Sequence, residues 1–301
     1  EQLYIPVKVP RCDVFWSPHI NVPLLPVLTK KRLVTIHDMF HASEMHNMSR
    51  IKKAYTRIIL NSLNIYKPEV ITVSEFSKSE ILRYTRIPST KITVAYNGYD
   101  AQKFRLDSKH ITNLQVPFVL YVGNVKPHKN LNLVVEAFKI LKNEHRFNVN
   151  LKIVGKKEGF ITGDETVAKN IAAYGLEDEI HFTGRINDKE LIETYQQASL
   201  LIFPSKYEGF GLPPLEAMAC GCPSIVSDIP VFRELYGKSV LYTPTEDPTV
   251  LAQNIKDAIN NPNVLSALKS SFPDILNTYS WEKSQEVHLK VLDNIFNKAK
   301  I

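Results

Sequence analysis

The sequence predicts an α/β protein whose strands form parallel sheets in two domains, and three observations carry that expectation. Short apolar runs such as Phe118-Val119-Leu120-Tyr121-Val122 and Leu200-Leu201-Ile202-Phe203 lack polar alternation, as strands buried on both faces require. Strands of this kind alternate with segments of helical spacing, a pattern that packs as a parallel sheet with right-handed crossovers. A length of 301 residues, 44% hydrophobic and 23% charged, suffices for about two packed cores.

In chain order, Asp13 to Ser17 and Arg32 to Ile36 read as parallel strands, joined by a proline-rich loop around Pro18, Pro23 and Pro26. The second strand runs into His37-Asp38-Met39-Phe40-His41, and strand ends are where ligands sit in open α/β sheets. His37 and His41 have the four-residue separation of zinc-binding helices, but they follow a strand and the glutamate of that motif is absent; local hydrogen bonding is another role for His37. Residues 49–66 have helical spacing, with Arg50, Lys52, Lys53 and Arg57 in the first half and Ile58, Ile59, Leu60, Leu63 and Ile65 in the second. Such a helix either covers the sheet with its basic face in water or lies against anionic lipid. Val70 to Ser74 is the next strand, Ser77-Lys78-Ser79-Glu80 has the form of a capping box for the following helix, and Lys91 to Ala95 is a further strand.

From Phe118 the alternation is regular. The strand 118–122 opens at Gly123 into Asn124-Val125-Lys126-Pro127-His128-Lys129-Asn130, and a helix follows from Leu131 to Lys142. That places Lys129 beside a helix N-terminus, where its charge and the free amides suit a phosphate. A strand over 150–155 leads to a loop over 155–163, then a helix over 164–174 stopped by Gly175. A strand over 179–182 ends in Thr183-Gly184-Arg185-Ile186, and Asp188 starts a helix through Ala198. Strand 223–228, the helix from Pro230, strand 239–242, helix 249–260 and the final helices complete the chain. Tyr279 and Trp281 read as core aromatics.

Composition limits the partners. Cys12, Cys220 and Cys222 are an odd set, and the last two are too close for ordinary zinc-ligand spacing, so all three are expected to be reduced and structural. No apolar run approaches the roughly 20 residues that span a bilayer, and the N-terminus lacks a signal-peptide layout. The chain is therefore expected to be cytoplasmic, or peripheral at the inner face of the plasma membrane. The net charge of +6 is uneven: residues 1–109 hold 17 Lys and Arg against 9 Asp and Glu, whereas residues 110–301 hold 20 against 22. A basic first part is suited to a membrane surface or a lipid-linked phosphate, and no nucleic-acid recognition motif is present.

The stretch from Phe203 to Ile229 holds strand end, glycine loop, helix and second strand within one short segment. Gly209 and Gly211 allow the backbone to approach a ligand closely, Pro213 and Pro214 pre-set φ for a helix start, and the amides of the first turn are expected to face back toward the loop as an anion site. Glu208 and Glu216 flank the turn.

The string E-G-F-G-L-P-P-L-E-A-M-A-C-G-C-P resembles the Glu-x(7)-Glu signature of the retaining glycosyltransferases of family 4, whose GT-B architecture consists of two Rossmann-like domains facing a cleft. The resemblance implies that Glu216 binds the nucleotide ribose, that Glu208 contacts the donor sugar, and that the backbone of Gly209, Phe210, Gly211 and Leu212 holds the diphosphate. It also implies that Lys129 contacts the diphosphate, that the Gly123–Asn124 turn lies at the donor, and that Gly184 and Arg185 lie at the base. Many members carry Arg where this chain has Asn124. His37 matches a histidine beside donor sugar and acceptor, and Ser74 a strand-end serine. Asn97-Gly98-Tyr99-Asp100 resembles the segment leading into the second domain, and Trp281-Glu282 the start of a last helix that crosses back. The implied domains are 1–105, 106–280 and the crossing helix 281–301. The first domain looks incomplete, since members carry roughly 70 to 90 further residues before this point.

The implied function is transfer of a sugar with retained anomeric configuration to a glycolipid or polysaccharide acceptor. GDP-mannose is the first expectation for the donor and a UDP-sugar the next. No bound cofactor and no metal is expected, and a peripheral membrane contact through the basic first part is. The alternatives are a nucleotide-sugar-binding remnant with impaired turnover and a sugar phosphorylase on a similar scaffold.

Overall fold

The computed structural model describes residues 4–20, 23, 27–106, 116–155 and 165–299. Pro26 of the proline-rich loop and positions 156–164 of the loop expected after Gly155 lie outside them. The chain divides into two compact units. One comprises residues 1–98, 208–210 and 279–301, and the other residues 99–207 and 211–278.

The first unit is built on a parallel sheet of β1 (Cys12–Ser17), β2 (Thr29–Ile36), β3 (Glu69–Thr72) and β4 (Ile92–Val94), ordered as in the chain. Alternation along the strands sends residues to both faces. Val34, Ile36, Val70 and Ile92 pack with Ile59 and Leu63 of the helix Arg50–Tyr66 and with Ile81 of the helix Glu75–Tyr84. Leu33 and Ile71 point the other way, onto Ile295, Val287, Val291 and Leu292 of the helix Trp281–Ala299. The last helix therefore belongs to this unit because it covers an apolar sheet face.

Two local expectations are corrected here. The helix after β3 starts three residues earlier than a Ser77–Glu80 capping box requires: Ser74 is the N-cap, its hydroxyl accepting the Ser77 N–H at 3.0 Å, and Glu80 faces Arg83 at 3.4 Å instead. Ser74 wins because its extended backbone immediately follows the strand. Trp281 is not a core residue; it is 46% exposed at the start of the last helix, whereas Tyr279 is buried.

The second unit contains β5 (Phe118–Val122), β6 (Asn150–Val154), β7 (Ile180–Gly184), β8 (Leu200–Phe203), β9 (Ser224–Ser227) and β10 (Leu241–Thr243), all parallel, in the order β10-β9-β8-β5-β6-β7. The central strands β5, β8 and β9 are buried on both faces and lack polar alternation, whereas β6 and β7 alternate, with His181 and Thr183 exposed on β7. Val119, Tyr121, Leu200 and Ile202 meet the helices Leu131–Asn143 and Pro248–Asn260. Phe118, Leu120 and Leu201 meet Tyr195 of the helix Asp188–Gln197 and Ala217 of the helix Leu212–Ala219.

Candidate donor-binding site

The strand order of the second sheet decides where a ligand can sit. From β5 the chain winds outward through β6 and β7, then returns to β5's other side and winds outward through β8, β9 and β10. β5 and β8 pair directly, Val119 opposite Leu200 and Leu120 opposite Leu201. The loops leaving their carboxyl ends turn to opposite faces of the sheet, and such a switch point is where open α/β sheets bind ligands.

The loop after β5 carries Gly123, Asn124 and Lys129. The Gly123 N–H donates to the Val154 carbonyl at 3.0 Å, and the Tyr121 hydroxyl donates to the Asn124 carbonyl at 3.2 Å. A single turn, Pro127–Lys129, then delivers the chain to Asn130, which is left-handed at φ 57°. The Asn130 side chain donates to the Thr245 carbonyl at 2.8 Å, so it anchors the loop and does not cap the helix Leu131–Asn143. The Lys129 ammonium stands 5.6 Å from the centroid of the Phe203 ring, at the end of β8. The two loops are also joined through backbone, the Lys206 N–H donating to the His128 carbonyl at 2.8 Å.

The loop after β8 reaches Gly211, whose φ is 98° and where a Cβ would come within 2.7 Å of Cε1 of Phe232. Only glycine satisfies both constraints. The Tyr236 hydroxyl donates to the Gly211 carbonyl. Leu212 then begins the helix, with Pro213 and Pro214 behind it. Proline has no N–H, so of these first three helical positions only Leu212 offers an amide. The anion site expected from a full first turn is thus reduced to the loop amides ending at Leu212.

Glu216 lies one turn further on. Its Oε2 accepts the Tyr195 hydroxyl at 3.1 Å. Burial holds the Glu216 carboxyl above the ordinary glutamate range, opposed by the Tyr195 hydrogen bond. Burial, and then the Glu216 charge, push the Tyr195 phenol well above its usual value, so it is a neutral donor throughout the physiological range. The helix bearing Tyr195 is fixed at its start by a capping box between Asn187 and Glu190.

Gly184 and Arg185 sit at the same carboxyl edge but at the end of β7, two strands and ~10 Å from β5. The Gly155 N–H donates to the Gly184 carbonyl at 3.1 Å, and Arg185 is exposed.

His37, Glu208, Gly209 and Phe210 belong to the first unit. A Cβ on Gly209 would lie 1.9 Å from the His37 carbonyl oxygen, so the backbone there tolerates glycine alone. The Gly209 carbonyl accepts the Ser74 hydroxyl at 2.7 Å, and the Ser77 hydroxyl donates toward the His37 carbonyl at 3.2 Å. Phe210 meets Tyr279 edge-on at 5.6 Å. Desolvation lowers the pKa of His37, and the proximity of His19 and His288 adds to this, so its imidazole is neutral at neutral pH. Among the described residues no group of three or more His, Cys, Asp or Glu is arranged to hold a metal ion.

The structure thus brings Gly123, Asn124, Lys129, Gly211 and Leu212 to the loops at one switch point, with Glu216 a turn along the helix that Leu212 begins. Within the other unit, Gly209 lies on the His37 backbone. Comparison with known sequences gives this arrangement a family. The family described as Glycosyl transferases group 1 matches residues 102–271, and Glycosyltransferase Family 4 matches residues 11–103. The chain belongs to the group 1 glycosyl transferases.

This glycosyltransferase is 30% identical over 266 residues to the O-antigen chain mannosyltransferase RfbU of Salmonella typhimurium, covering 88% of this chain and 70% of that protein. Its fold is shared with sucrose-phosphate synthase of Thermosynechococcus elongatus (TM-score 0.74, 23% identity, 89% of this chain and 68% of that one). It is shared also with HepE of Anabaena, solved in complex with UDP-glucose (TM-score 0.73, 20% identity, 87% of this chain and 72% of that one). The two parallel α/β units are those of the GT-B architecture. Among the described residues of the glycosyltransferase, no helix is long and apolar enough to cross a membrane.

Three groups around the site escaped sequence reasoning: Tyr195 on Glu216, Tyr236 on Gly211, and Ser77 beside Ser74. The tyrosines lie on buried helix faces, where spacing reports apolar burial and nothing marks a used hydroxyl. Ser77 was legible only as a cap.

Proposed function

We propose that this glycosyltransferase transfers a mannosyl group from GDP-mannose to a hydroxyl of a glycolipid or growing polysaccharide, with retention of anomeric configuration. The observation that supports a nucleotide-sugar donor is the placing of the Lys129 loop and the Gly211–Leu212 loop at the adjacent ends of β5 and β8, with Glu216 on the helix that Leu212 begins. Mannose as the sugar and a glycan as the acceptor are supported by the likeness to RfbU, an O-antigen chain mannosyltransferase.

In this reading the bond from the anomeric carbon to the diphosphate oxygen breaks as the bond to the acceptor oxygen forms on the same face. The acceptor proton passes to the departing diphosphate oxygen, so no carboxylate base is needed. Lys129 and the amides from Gly209 to Leu212 stabilise the charge developing on the diphosphate, without a metal ion. Glu216 holds the ribose diol. His37 and Glu208 orient sugar and acceptor, and a neutral imidazole suits His37 to that task.

The helix Arg50–Tyr66 supports an acceptor presented at a membrane. Ile51 (84% exposed), Tyr55, Ile58 and Ile65 (74% exposed) recur at helical spacing along one exposed face, beside Arg50, Lys52 and Arg57. Apolar side chains flanked by basic ones match the boundary of an anionic bilayer.

The donor is tested by thermal shift with GDP, UDP, ADP and dTDP, followed by nucleotide release from GDP-mannose. GDP is expected to raise the Tm most, and Lys129→Ala to weaken its binding by about 1–3 kcal/mol. A stronger response to UDP moves the assignment to a UDP-sugar. Absence of any response, or a Lys129→Ala variant that binds like the parent, defeats the site.

A further inference from the structure

Tyr195 is 0% exposed and packed in the core with Leu201, Ala217, Cys220 and Cys222, a place where phenylalanine would serve as well for packing alone. Its ring also meets Phe104 edge-on at 6.3 Å. A fully buried phenol is retained at a cost unless its hydroxyl has a partner. Here the partner is Glu216 Oε2, at 3.1 Å.

The groups facing Glu216 make that hydroxyl important. Asp188, at the start of the Tyr195 helix, adds negative potential, and Cys220 follows the end of Glu216's own helix. Lys103 is engaged with Asp188 at 3.0 Å and Asp100 at 3.8 Å. No cation pairs with Glu216 among the described residues, and Oε1 has no hydrogen-bond donor there. The phenol is therefore the group that holds this half-buried carboxylate in one rotamer and favours its ionised form.

We propose that Tyr195 is a positioning residue for the donor, holding Oε2 so that Oε1 of Glu216 is presented to the hydroxyls of the nucleotide ribose. This rests on the reading of Glu216 given above. An ionised carboxylate accepts more strongly from the hydroxyls of a diol than a protonated carboxyl, which turns one of its acceptor sites into a donor. Because the Tyr195 hydrogen bond lowers the Glu216 pKa against the effect of burial, removing it moves protonation of Glu216 to higher pH.

The experiment is titration of GDP and UDP into the parent, Tyr195→Phe, Glu216→Gln and the double variant, across neutral and mildly acidic pH. Tyr195→Phe is expected to weaken the better nucleotide about tenfold at neutral pH, to move the acid limb of binding upward, and to add nothing in the Glu216→Gln background. Equal binding by Tyr195→Phe with an unmoved limb overturns the proposal, as does an equal loss in both backgrounds, which would mean packing alone. Glu216→Gln binding like the parent overturns the reading of Glu216 itself, and the proposal with it. Should Tyr195→Phe melt early, the coupling measured below both transitions still decides the matter.

Discussion

Glu216 sits where burial disfavours its charged form. Burial raises its folded-state pKa above the value in an unfolded chain. Below the unfolded value both states hold the proton and the effect vanishes. Between the two values the folded chain binds more protons than the unfolded one, so stability falls as pH rises, and above the folded value the whole cost is present. Glu216→Gln keeps the shape and removes the charge. It is therefore expected to melt higher than the parent at neutral pH and at the same temperature near about pH 4, where the parent carboxyl is protonated. Melting curves at the two pH values check this, and equal curves at neutral pH would mean that the carboxylate carries no strain. A more stable protein that binds nucleotide less well is the usual signature of a group kept for function.

The loop from Glu208 to Gly211 is held as an element rather than by any one contact. Ser74 grips the Gly209 carbonyl, Tyr236 grips that of Gly211, and the His37 backbone leaves no room for a side chain at 209. The obstruction at Gly209 is backbone, which cannot rotate away. Gly209→Ala is expected to cost about 1–3 kcal/mol of stability, read from the midpoint of urea unfolding at unchanged slope, together with reduced turnover. Parent-like stability would mean that the loop is not seated on His37. Much of this element was legible: the glycines, the strand before them and the helix after them are all local signals. The proline pair marks the helix start, and its missing N–H groups also remove amides from the first turn. The Ser77–Glu80 capping box misled because a better cap, Ser74, stands at the strand end, and only the register of the helix on the sheet chooses between them.

The whole molecule divides its charge and its chemistry. The basic excess lies in residues 1–109, where the helix Arg50–Tyr66 also exposes Ile51 and Ile65. Co-sedimentation with phosphatidylglycerol vesicles is expected to exceed that with neutral phosphatidylcholine and to fall with salt, since screening shortens the reach of the basic groups to about 8 Å at physiological ionic strength. Ile51→Ser with Ile65→Ser is expected to weaken binding at high salt without altering the nucleotide response. Equal sedimentation with both vesicle types would remove the membrane reading and leave the donor site untouched.

Periodicity, strand composition and turn residues are properties of neighbours in the chain, and they sufficed to specify parallel α/β units, the glycine loop between two glutamates and a lysine before a helix. The strand order was not among them. A parallel sheet accepts many orders with the same local pattern, and only packing places β5 against β8 and so brings two separate loops to one carboxyl edge. The same holds for Tyr195. It lies 21 residues from Glu216, and the pair meets because two helices pack on one face of that sheet. Hydrophobic spacing records that a side chain is buried, but its hydroxyl finds a partner only when the helices are assembled.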